Sequence, residues 1–350
     1  FLVSYLFVKR YRWVLYPALA LGALLVAFSP ILGYLFTVYV PVTHYAYLEE
    51  KGQTVVVRED YYGAFFSKSD IEIMTYVNGQ LAYANKMVYE KIEGVPKFSC
   101  DEYSGKTKDY VVLIPIINEG DRIIRELERA KKNNISDYVD IVICDGGSTD
   151  GCTDEERLKK LDVNTLLVKQ DVGKQGAQLR MGIWWALKRD YKGIITIDGN
   201  NKDSIEDIPK FIKKLEEGYD FIQGSRYIKG GKAINTPLIR HLSVNLIHAP
   251  IISLTAKKRF TDTTNAFRAY SARYLKDERV KPLREIFMTY ELLAYLSVRA
   301  AQLGYKSCEI PVTREYPKTG KTPTKISFFK GNIDLMKILF ENLFGKYNPK

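Results

Sequence analysis

A dense polar segment, DGNNKD at residues 198–203, directly follows the apolar residues 194–197. A simple turn needs a single Asn, Asp or Gly, so this segment carries more hydrogen-bonding groups than a turn requires. Carboxylate and amide oxygens are ligands of hard divalent cations, and a lysine contacts phosphate groups. The structural alternative is that Asp198 caps the helix that follows.

Four other apolar runs also end in polar or charged residues. They are followed by Asn118-Glu119, by DGGSTD at 145–150, by DVGK at 171–174 and by GSRY at 224–227. Continuous apolar strands that alternate with helices are typical of a parallel sheet buried on both faces. Ligands bind beyond the carboxyl ends of such strands. The sequence therefore predicts an α/β domain with all five polar segments at one edge of its sheet.

This edge combines three carboxylates with three cations, namely Asp145, Asp150, Asp198, Lys174, Arg180 and Arg226. The combination suits a nucleoside diphosphate, because carboxylates accept hydrogen bonds from ribose and base or hold a divalent ion, while cations bind phosphates. The first strand is not followed by GxGxxG, and GxxxxGK[ST] is absent from the sequence. These absences argue against a dinucleotide-binding domain and a P-loop.

Composition narrows the class of protein. The 350 residues carry a formal net charge of +11, and 46% of them are hydrophobic, which excludes wholesale disorder. The basic surplus suits a polyphosphate ligand, nucleic acid, an anionic membrane or simply a solvated surface. No nucleic-acid partner is expected, because the aromatic residues lie mostly in apolar runs. The four cysteines form no CxxC pair, which indicates a reduced compartment and no structural zinc.

The N-terminal region has a long uncharged run. Residues 13–48 contain no Lys, Arg, Asp or Glu. A bilayer span needs roughly 20 apolar residues, and Pro30 near the middle of the run breaks or kinks a helix. The sequence therefore predicts membrane-anchoring helices over residues 1–48, either as one kinked span or as a hairpin. Basic residues at 9, 10 and 12 indicate a cytoplasmic N-terminal flank.

Several motifs together resemble family 2 glycosyltransferases. VVLIPIINEG resembles the opening strand of that family, CDGGSTDG resembles its Asp-Asp-Gly-Ser loop, and Asp198-Gly-Asn200 stands at its Asp-x-Asp position. FIQGSRY, DTTNAFRAY and QLGYKSCEIPV resemble the branch that contains dolichyl-phosphate mannose synthases and bacterial polyprenyl-phosphate glycosyltransferases. The resemblance covers about residues 110–330 and implies a Rossmann-like A-type fold with a mainly parallel sheet.

Four segments are predicted: anchoring helices over 1–48, an accessory element and linker over 49–109, the glycosyltransferase domain over 110–326, and an amphipathic helix over 327–350. Within the accessory element, residues 53–57 and 71–77 are predicted strands, and Asn78-Gly79 is a hairpin turn signal.

The resemblance implies an inverting enzyme that moves one sugar from a nucleoside diphosphate sugar, with Mg²⁺ or Mn²⁺ at the Asp-x-Asp position. The residues expected to bind the donor come from the strand ends and from the basic loop 314–327: Pro115, Asn118, Glu119, Asp145, Ser148, Asp150, Lys174, Arg180, Asn200, Lys202, Arg226, Arg314, Lys321 and Lys325. The loop is expected to close over the diphosphate, and a merely solvated loop is the alternative.

The sequence departs from the family pattern at the metal position. Gly146 replaces the second aspartate of the loop, and Asn200 replaces the second acid. Asn ligates a hard cation without contributing charge, and a protonated Lys cannot ligate. The hypothesis is that Asp198 and Asn200 hold the ion weakly while Lys202 contacts the diphosphate. The alternative is a solvent-facing Lys202.

The acceptor site is expected around DTTNAFR at residues 262–268. By resemblance Arg268 faces the acceptor phosphate, and the alternative is that it pairs with Asp262. The acceptor-binding residues are then Ser225, Asp262, Asn265 and Arg268, and the catalytic residues are Asp198, Arg268 and Glu291. QxxRW, the mark of processive synthases, is absent, so a single transfer is favoured.

Relatives carry a Glu-Asp pair that supplies a general base, whereas only Glu291 stands in this region. A phosphate acceptor is already ionised at neutral pH and needs no base, so a polyprenyl phosphate is favoured. Glu291 would serve if the acceptor were a hydroxyl of a lipid-linked glycan. A catalytically dead module that binds a nucleotide or lipid at a membrane is a further alternative.

The remaining expectations concern the membrane. Residues 239–259 form either a core helix or an interfacial helix that faces lipid. Nucleotide sugars are cytosolic, so the protein is expected at the cell membrane with its catalytic domain facing the cytoplasm, which favours the hairpin. The oligomeric state stays open.

Overall fold

The computed structural model describes residues 42–50, 53–61, 69–77, 80–89, 91, 94–318 and 330–349. The chain divides into two compact units, Phe1–Ala84 and Asn85–Lys350. Strand β4 (Gln80–Tyr89) contains the boundary between them.

The first unit contains three antiparallel strands, β1 (Val42–Glu50), β2 (Gln53–Tyr61) and β3 (Ser69–Val77). The two predicted strands are therefore confirmed and are longer than expected, while the Asn78-Gly79 turn lies outside the described residues. Residues 42–48, predicted as the end of the anchoring helices, lie in β1, whereas the rest of that prediction falls outside the described residues. Among the residues that are described, no helix has both the length and the apolar character needed to cross a membrane.

The second unit is built on a mixed, mainly parallel sheet. Its strands are β5 (Phe98–Glu102), β6 (Tyr110–Ile116), β7 (Asp140–Asp145), β8 (Val163–Lys169), β9 (Gly193–Thr196), β10 (Phe221–Ser225), β12 (Arg268–Ser271) and β13 (Ser307–Pro311). They lie in the order β5-β8-β7-β6-β9-β12-β10-β13. Strands β8, β7, β6 and β9 are parallel neighbours, and β10 is parallel to β13. Strands β5 and β12 run antiparallel to their neighbours.

Nine α-helices belong to the described part of this unit: α1 (Asp121–Lys132), α2 (Glu155–Lys160), α3 (Gln175–Lys188), α4 (Ile208–Glu216), α5 (Leu238–Ser243), α6 (Ala249–Ala256), α7 (Ala272–Leu275), α8 (Glu291–Gln302) and α9 (Lys330–Leu343). A π-helical turn, Val244–His248, joins α5 to α6. A short parallel pair, β11 (Lys232–Ile234) and β14 (Thr313–Glu315), lies outside the main sheet.

The central strands are buried on both faces. Along β6, Val111 and Leu113 pack into one core with Trp185, whereas Val112 and Ile114 pack into the other. This alternation is the two-residue period of a strand with a hydrophobic layer on each side. The five strands predicted from apolar runs are confirmed as β6 to β10.

The predicted boundary at residue 110 differs from the structure. Strand β5, placed by sequence in the accessory element and linker, pairs with β8 in the main sheet. The predicted C-terminal helix is present as α9 and belongs to the same compact unit. Both segments therefore extend the unit beyond residues 110–326.

Candidate active site

The loops that follow β6 and β7 are tied to each other by side chains. The backbone amide of Asn118 donates to Ser148 Oγ at 2.8 Å, and the side-chain oxygen Asn118 Oδ1 accepts from the backbone amide of Thr149 at 2.8 Å. The Gly120 amide donates to Asp150 Oδ2 at 2.7 Å. Three of the residues predicted to bind the donor, Asn118, Ser148 and Asp150, therefore lie together where these two loops meet.

Asp145, at the end of β7, forms hydrogen bonds to the loop that follows this strand. Its Oδ2 accepts from the amides of Gly147 and Ser148 at 2.9 and 2.8 Å, and its Oδ1 accepts from Ser148 Oγ at 2.5 Å. The carboxylate is almost wholly buried. Asp145 therefore fixes the conformation of this loop.

A side chain at position 146 would be tightly packed. A Cβ there would lie 3.0 Å from Gln178 Nε2 and 3.3 Å from the Ile116 carbonyl oxygen. Gln178 Nε2 in turn donates to the carbonyl oxygens of Ile116 and Cys144 at 2.5 and 2.8 Å, which joins the ends of β6 and β7. Sequence reasoning missed Gln178, although a glutamine within a mostly apolar helix was a usable signal.

Asp198 and Arg314 form the centre of the site. Asp198 Oδ1 accepts from Gln175 Nε2 at 3.0 Å, and its Oδ2 accepts from Arg314 Nη2 at 3.1 Å. Arg314 Nη1 donates to Asp203, and the side chains of Arg314 and Asp203 are 5% and 0% exposed. One buried guanidinium therefore bridges the two carboxylates of the 198–203 segment.

Burial and this bridge set the local electrostatics. Burial raises the pKa of Asp203. Burial acts in the same direction on Asp198, but Arg314 and Lys202 hold the pKa of its carboxyl below the usual value. Burial opposes the charge of Arg314, yet the two carboxylates raise its pKa well above the usual range. The guanidinium is thus a fixed positive charge.

Tyr316 contacts three cationic side chains. Lys202 Nζ lies 5.1 Å and Arg314 Cζ 5.8 Å from the centre of its ring. Arg240 Nη1 donates to the Tyr316 hydroxyl at 3.2 Å. We call Lys202, Arg240 and Arg314 the cationic cluster. Arg240 and Tyr316 were not singled out by the sequence, because 76 residues separate them.

Backbone pairing holds the cluster in place. Arg314 lies on β14 opposite Ala233 of β11. The Glu315 amide donates to the Lys202 carbonyl at 2.8 Å, and the Thr313 amide donates to Ser204 Oγ at 3.0 Å. The positions of Lys202 and Arg314 are therefore fixed relative to each other by main-chain contacts.

Two arginines lie elsewhere than the sequence suggested. Arg180 donates to the Phe287 carbonyl at 3.1 Å and to the carbonyls of Gly94 and Leu283. Arg268, which is 2% exposed, donates to the carbonyls of Asn265 and Thr263, both at 2.8 Å. Both guanidinium groups hold backbone segments together inside the protein, so neither faces a phosphate in this structure.

Arg226 and Asp262 form a buried pair with each other. Arg226 Nε lies 2.6 Å from Asp262 Oδ2, and Nη2 lies 2.8 Å from Oδ1. This pairing corrects the alternative that Asp262 neutralises Arg268. Asp262 was predicted to bind the acceptor and Arg226 to bind the donor, and in the structure these two side chains bind each other.

The other predicted residues are placed as follows. Ser225 Oγ is 2.6 Å from Thr261 Oγ1, and Asn265 Oδ1 accepts from the Phe267 backbone amide at 3.1 Å. Glu119 accepts from Arg122 Nε at 2.8 Å. Pro115 lies in β6 opposite Cys144, and Lys174 is exposed at the start of α3. Both carboxylate oxygens of Glu291 accept from Thr289, each at 2.6 Å. Lys321 and Lys325 lie outside the described residues.

Glu126 supports the site from α1, and sequence reasoning missed it. This fully buried carboxyl accepts from the Asn201 amide at 2.7 Å and thereby holds the segment that carries Asp198. Burial raises the pKa of Glu126 well above its usual value.

Glu126→Gln is expected to gain stability relative to wild type as the pH rises. A carboxyl whose pKa is raised on folding loses stability above its unfolded pKa of about 4.3, because only the unfolded state ionises freely. Glutamine retains an oxygen for the Asn201 amide without this penalty. Urea unfolding at pH 4.5 and pH 8 measures the difference, and equal losses in both proteins would rule out Glu126 as the source.

The chain is similar in sequence to known proteins. Residues 111–279 match the model of glycosyl transferase family 2. The chain is 31% identical over 217 residues to an uncharacterized protein of Methanocaldococcus jannaschii, covering 59% of this chain and 88% of that one. It is 25% identical over 206 residues to undecaprenyl-phosphate mannosyltransferase of Micrococcus luteus, covering 58% of this chain and 82% of that one.

A solved structure of glucosyl-3-phosphoglycerate synthase from Mycobacterium tuberculosis, in complex with Mn²⁺, uridine diphosphate and phosphoglyceric acid, has a TM-score of 0.49 at 14% identity. It covers 69% of this chain and 79% of that one. The family match over residues 111–279 identifies the class. The chain belongs to glycosyl transferase family 2, as predicted, and is a glycosyltransferase.

The residues at the Asp-x-Asp position do not fit a divalent ion. Both oxygens of Asp198 already accept hydrogen bonds, one of them from a guanidinium. Asn200 turns its amide nitrogen toward Asp198 Oδ2 at 3.4 Å, so its oxygen points away from the carboxylate. That oxygen is buried and has no hydrogen-bond partner among the described residues. Asp198 and Asn200 thus do not offer two oxygens to one ion.

Proposed function

We propose that this enzyme transfers one sugar from a nucleoside diphosphate sugar to a polyprenyl phosphate at the cytoplasmic face of a membrane. The observation that carries the proposal is the two-sided helix formed by α5, the π-helical turn and α6. One side reaches the cationic cluster, and the other exposes a row of large apolar side chains.

The apolar side of this helix suits lipid. Leu238, Leu246 and Leu254 are 70%, 70% and 69% exposed. Helix α9 packs against α6 and exposes Ile333, and Phe344 directly after the helix is also exposed. Large exposed apolar residues that are grouped on neighbouring helices mark a site of contact with a membrane or an apolar ligand.

The polar side of the same helix reaches the proposed diphosphate site through Arg240 and Tyr316. A lipid phosphate that enters along the apolar row would therefore meet positive charge at its polar end. The name of the undecaprenyl-phosphate mannosyltransferase relative supports the same class of acceptor.

The proposed reaction is a single displacement. An oxygen of the acceptor phosphate attacks the anomeric carbon, the bond from that carbon to the donor diphosphate breaks, and the nucleoside diphosphate leaves with the electron pair. Lys202 and Arg314 stabilise the charge that develops on the leaving group. A phosphate nucleophile needs no general base, which agrees with Glu291 having both oxygens bound to Thr289.

Transfer from a panel of radiolabelled UDP- and GDP-sugars to undecaprenyl phosphate in detergent tests the proposal. A lipid product that is labile to mild acid is expected and would identify the donor. Transfer only to a hydroxyl of a lipid-linked glycan would overturn the acceptor assignment. Donor binding without transfer to any acceptor lipid would instead indicate a binding module.

A further inference from the structure

We infer that Arg314 takes the place of a divalent cation, so that the enzyme binds its donor diphosphate without a metal ion. The inference rests on the proposed function only in taking a nucleoside diphosphate as the leaving group. It concerns how this chain neutralises that group.

The guanidinium occupies the position between the carboxylates where an ion would be useful. It lies 3.1 Å from Asp198 Oδ2 and also contacts Asp203, and both contacts come from its terminal nitrogens. An arginine side chain stays protonated in proteins, so this charge cannot be withdrawn to admit a cation. A metal ion on Asp198 would lie next to a fixed positive charge.

The site already carries a positive surplus. Asp198 and Asp203 carry two negative charges, and the cationic cluster of Lys202, Arg240 and Arg314 carries three positive charges. An added divalent ion would raise the sum from plus one to plus three before the donor arrives. A donor diphosphate instead adds negative charge beside three protein cations, an arrangement that charge-assisted hydrogen bonds favour.

The backbone gives Arg314 the rigidity that a bound ion would otherwise supply. Its strand is paired with β11, and the Glu315 amide is bonded to the Lys202 carbonyl at 2.8 Å. Preorganised charges stabilise a leaving group without reorganising during the reaction. The Asp198 side chain is 22% exposed and that of Arg314 is 5% exposed, so the carboxylate is the more solvent-exposed member of the pair.

Asn200 completes the arrangement. Its unpartnered, buried Oδ1 is a neutral acceptor. A ligand hydroxyl can donate to it, whereas a divalent ion would have only this one uncharged oxygen from the residue. An acid at this position would cancel the positive surplus of the site, whereas Asn keeps it.

The experiment uses the whole chain in detergent and needs no acceptor. Electron paramagnetic resonance of Mn²⁺ measures metal binding to the protein alone and with UDP or GDP, and calorimetry measures UDP and GDP affinity with Mg²⁺ or with EDTA. We expect no Mn²⁺ bound by the protein alone, and nucleoside diphosphate affinity that changes less than twofold on chelation. Stoichiometric Mn²⁺ binding, or a tenfold loss of affinity in EDTA, would overturn the inference.

Variants sharpen the result. Arg314→Gln should weaken UDP or GDP binding at least tenfold and leave uridine or guanosine binding unchanged. The double variant Arg314→Gln/Asn200→Asp should gain Mn²⁺ binding. Arg273→Gln, at a side chain that is 69% exposed, is the matched control. If neither UDP nor GDP binds under any condition, the proposed donor class fails, whereas UDP or GDP binding that requires Mn²⁺ overturns only the inference.

Discussion

Replacing Asp198 with Asn is expected to lower kcat/KM for sugar transfer about a hundredfold, the cost of misplacing reacting groups by roughly 1 Å. The carboxylate accepts from Gln175 on one oxygen and from Arg314 on the other. Asparagine keeps the shape but offers one acceptor and one donor, so either Gln175 or the guanidinium loses its partner. Arg314 then keeps only one carboxylate, and its position relative to the diphosphate is no longer fixed.

The measurement is nucleoside diphosphate release with saturating acceptor, using the donor that the panel identifies. Asp190→Asn is the matched control, because it removes a carboxylate that is 84% exposed and paired with Lys276. The melting temperature separates a functional loss from an unstable protein. An Asp198→Asn enzyme with wild-type kcat/KM would show that the carboxylate does not organise the site.

The sequence was sufficient to predict the central strands because their signal is local. Each of β6 to β10 is a short apolar run that ends in polar residues, and parallel strands buried on both faces require this pattern. The same reasoning placed Asp145 and Asp198 at one edge of the sheet. The boundary at residue 110 could not be found in this way, since β5 joins the sheet by pairing with β8 more than 60 residues later.

The roles of the arginines were harder to predict, for a physical reason. A sequence motif shows that an arginine follows a strand, but it does not show whether the guanidinium is buried in the interior or lies in the site. Arg268 points into the interior, where it bonds to carbonyls of a nearby loop. Arg314 reaches Asp198 across 116 positions of the chain. Only the folded backbone distinguishes a charge that holds the structure from a charge that meets a ligand.

The pair formed by Arg226 and Asp262 illustrates the first kind of charge, and its loss should have the largest effect on stability. The side chains are 1% and 0% exposed and share two hydrogen bonds. Asp262→Asn leaves the guanidinium buried without a counter-charge, which costs about 3–5 kcal/mol. Burial by itself would lower the pKa of Arg226, but the Asp262 carboxylate raises it. Without that carboxylate, the charged guanidinium remains buried only at the expense of folding stability.

Urea unfolding of the second unit measures the loss in Asp262→Asn. Asp109→Asn, which breaks an exposed pair with Lys192, makes the same chemical change and should lose far less stability. The double variant Arg226→Met/Asp262→Asn should recover part of the loss, because no unpaired charge is then buried. Equal losses in Asp262→Asn and Asp109→Asn would mean that burial adds nothing to this pair.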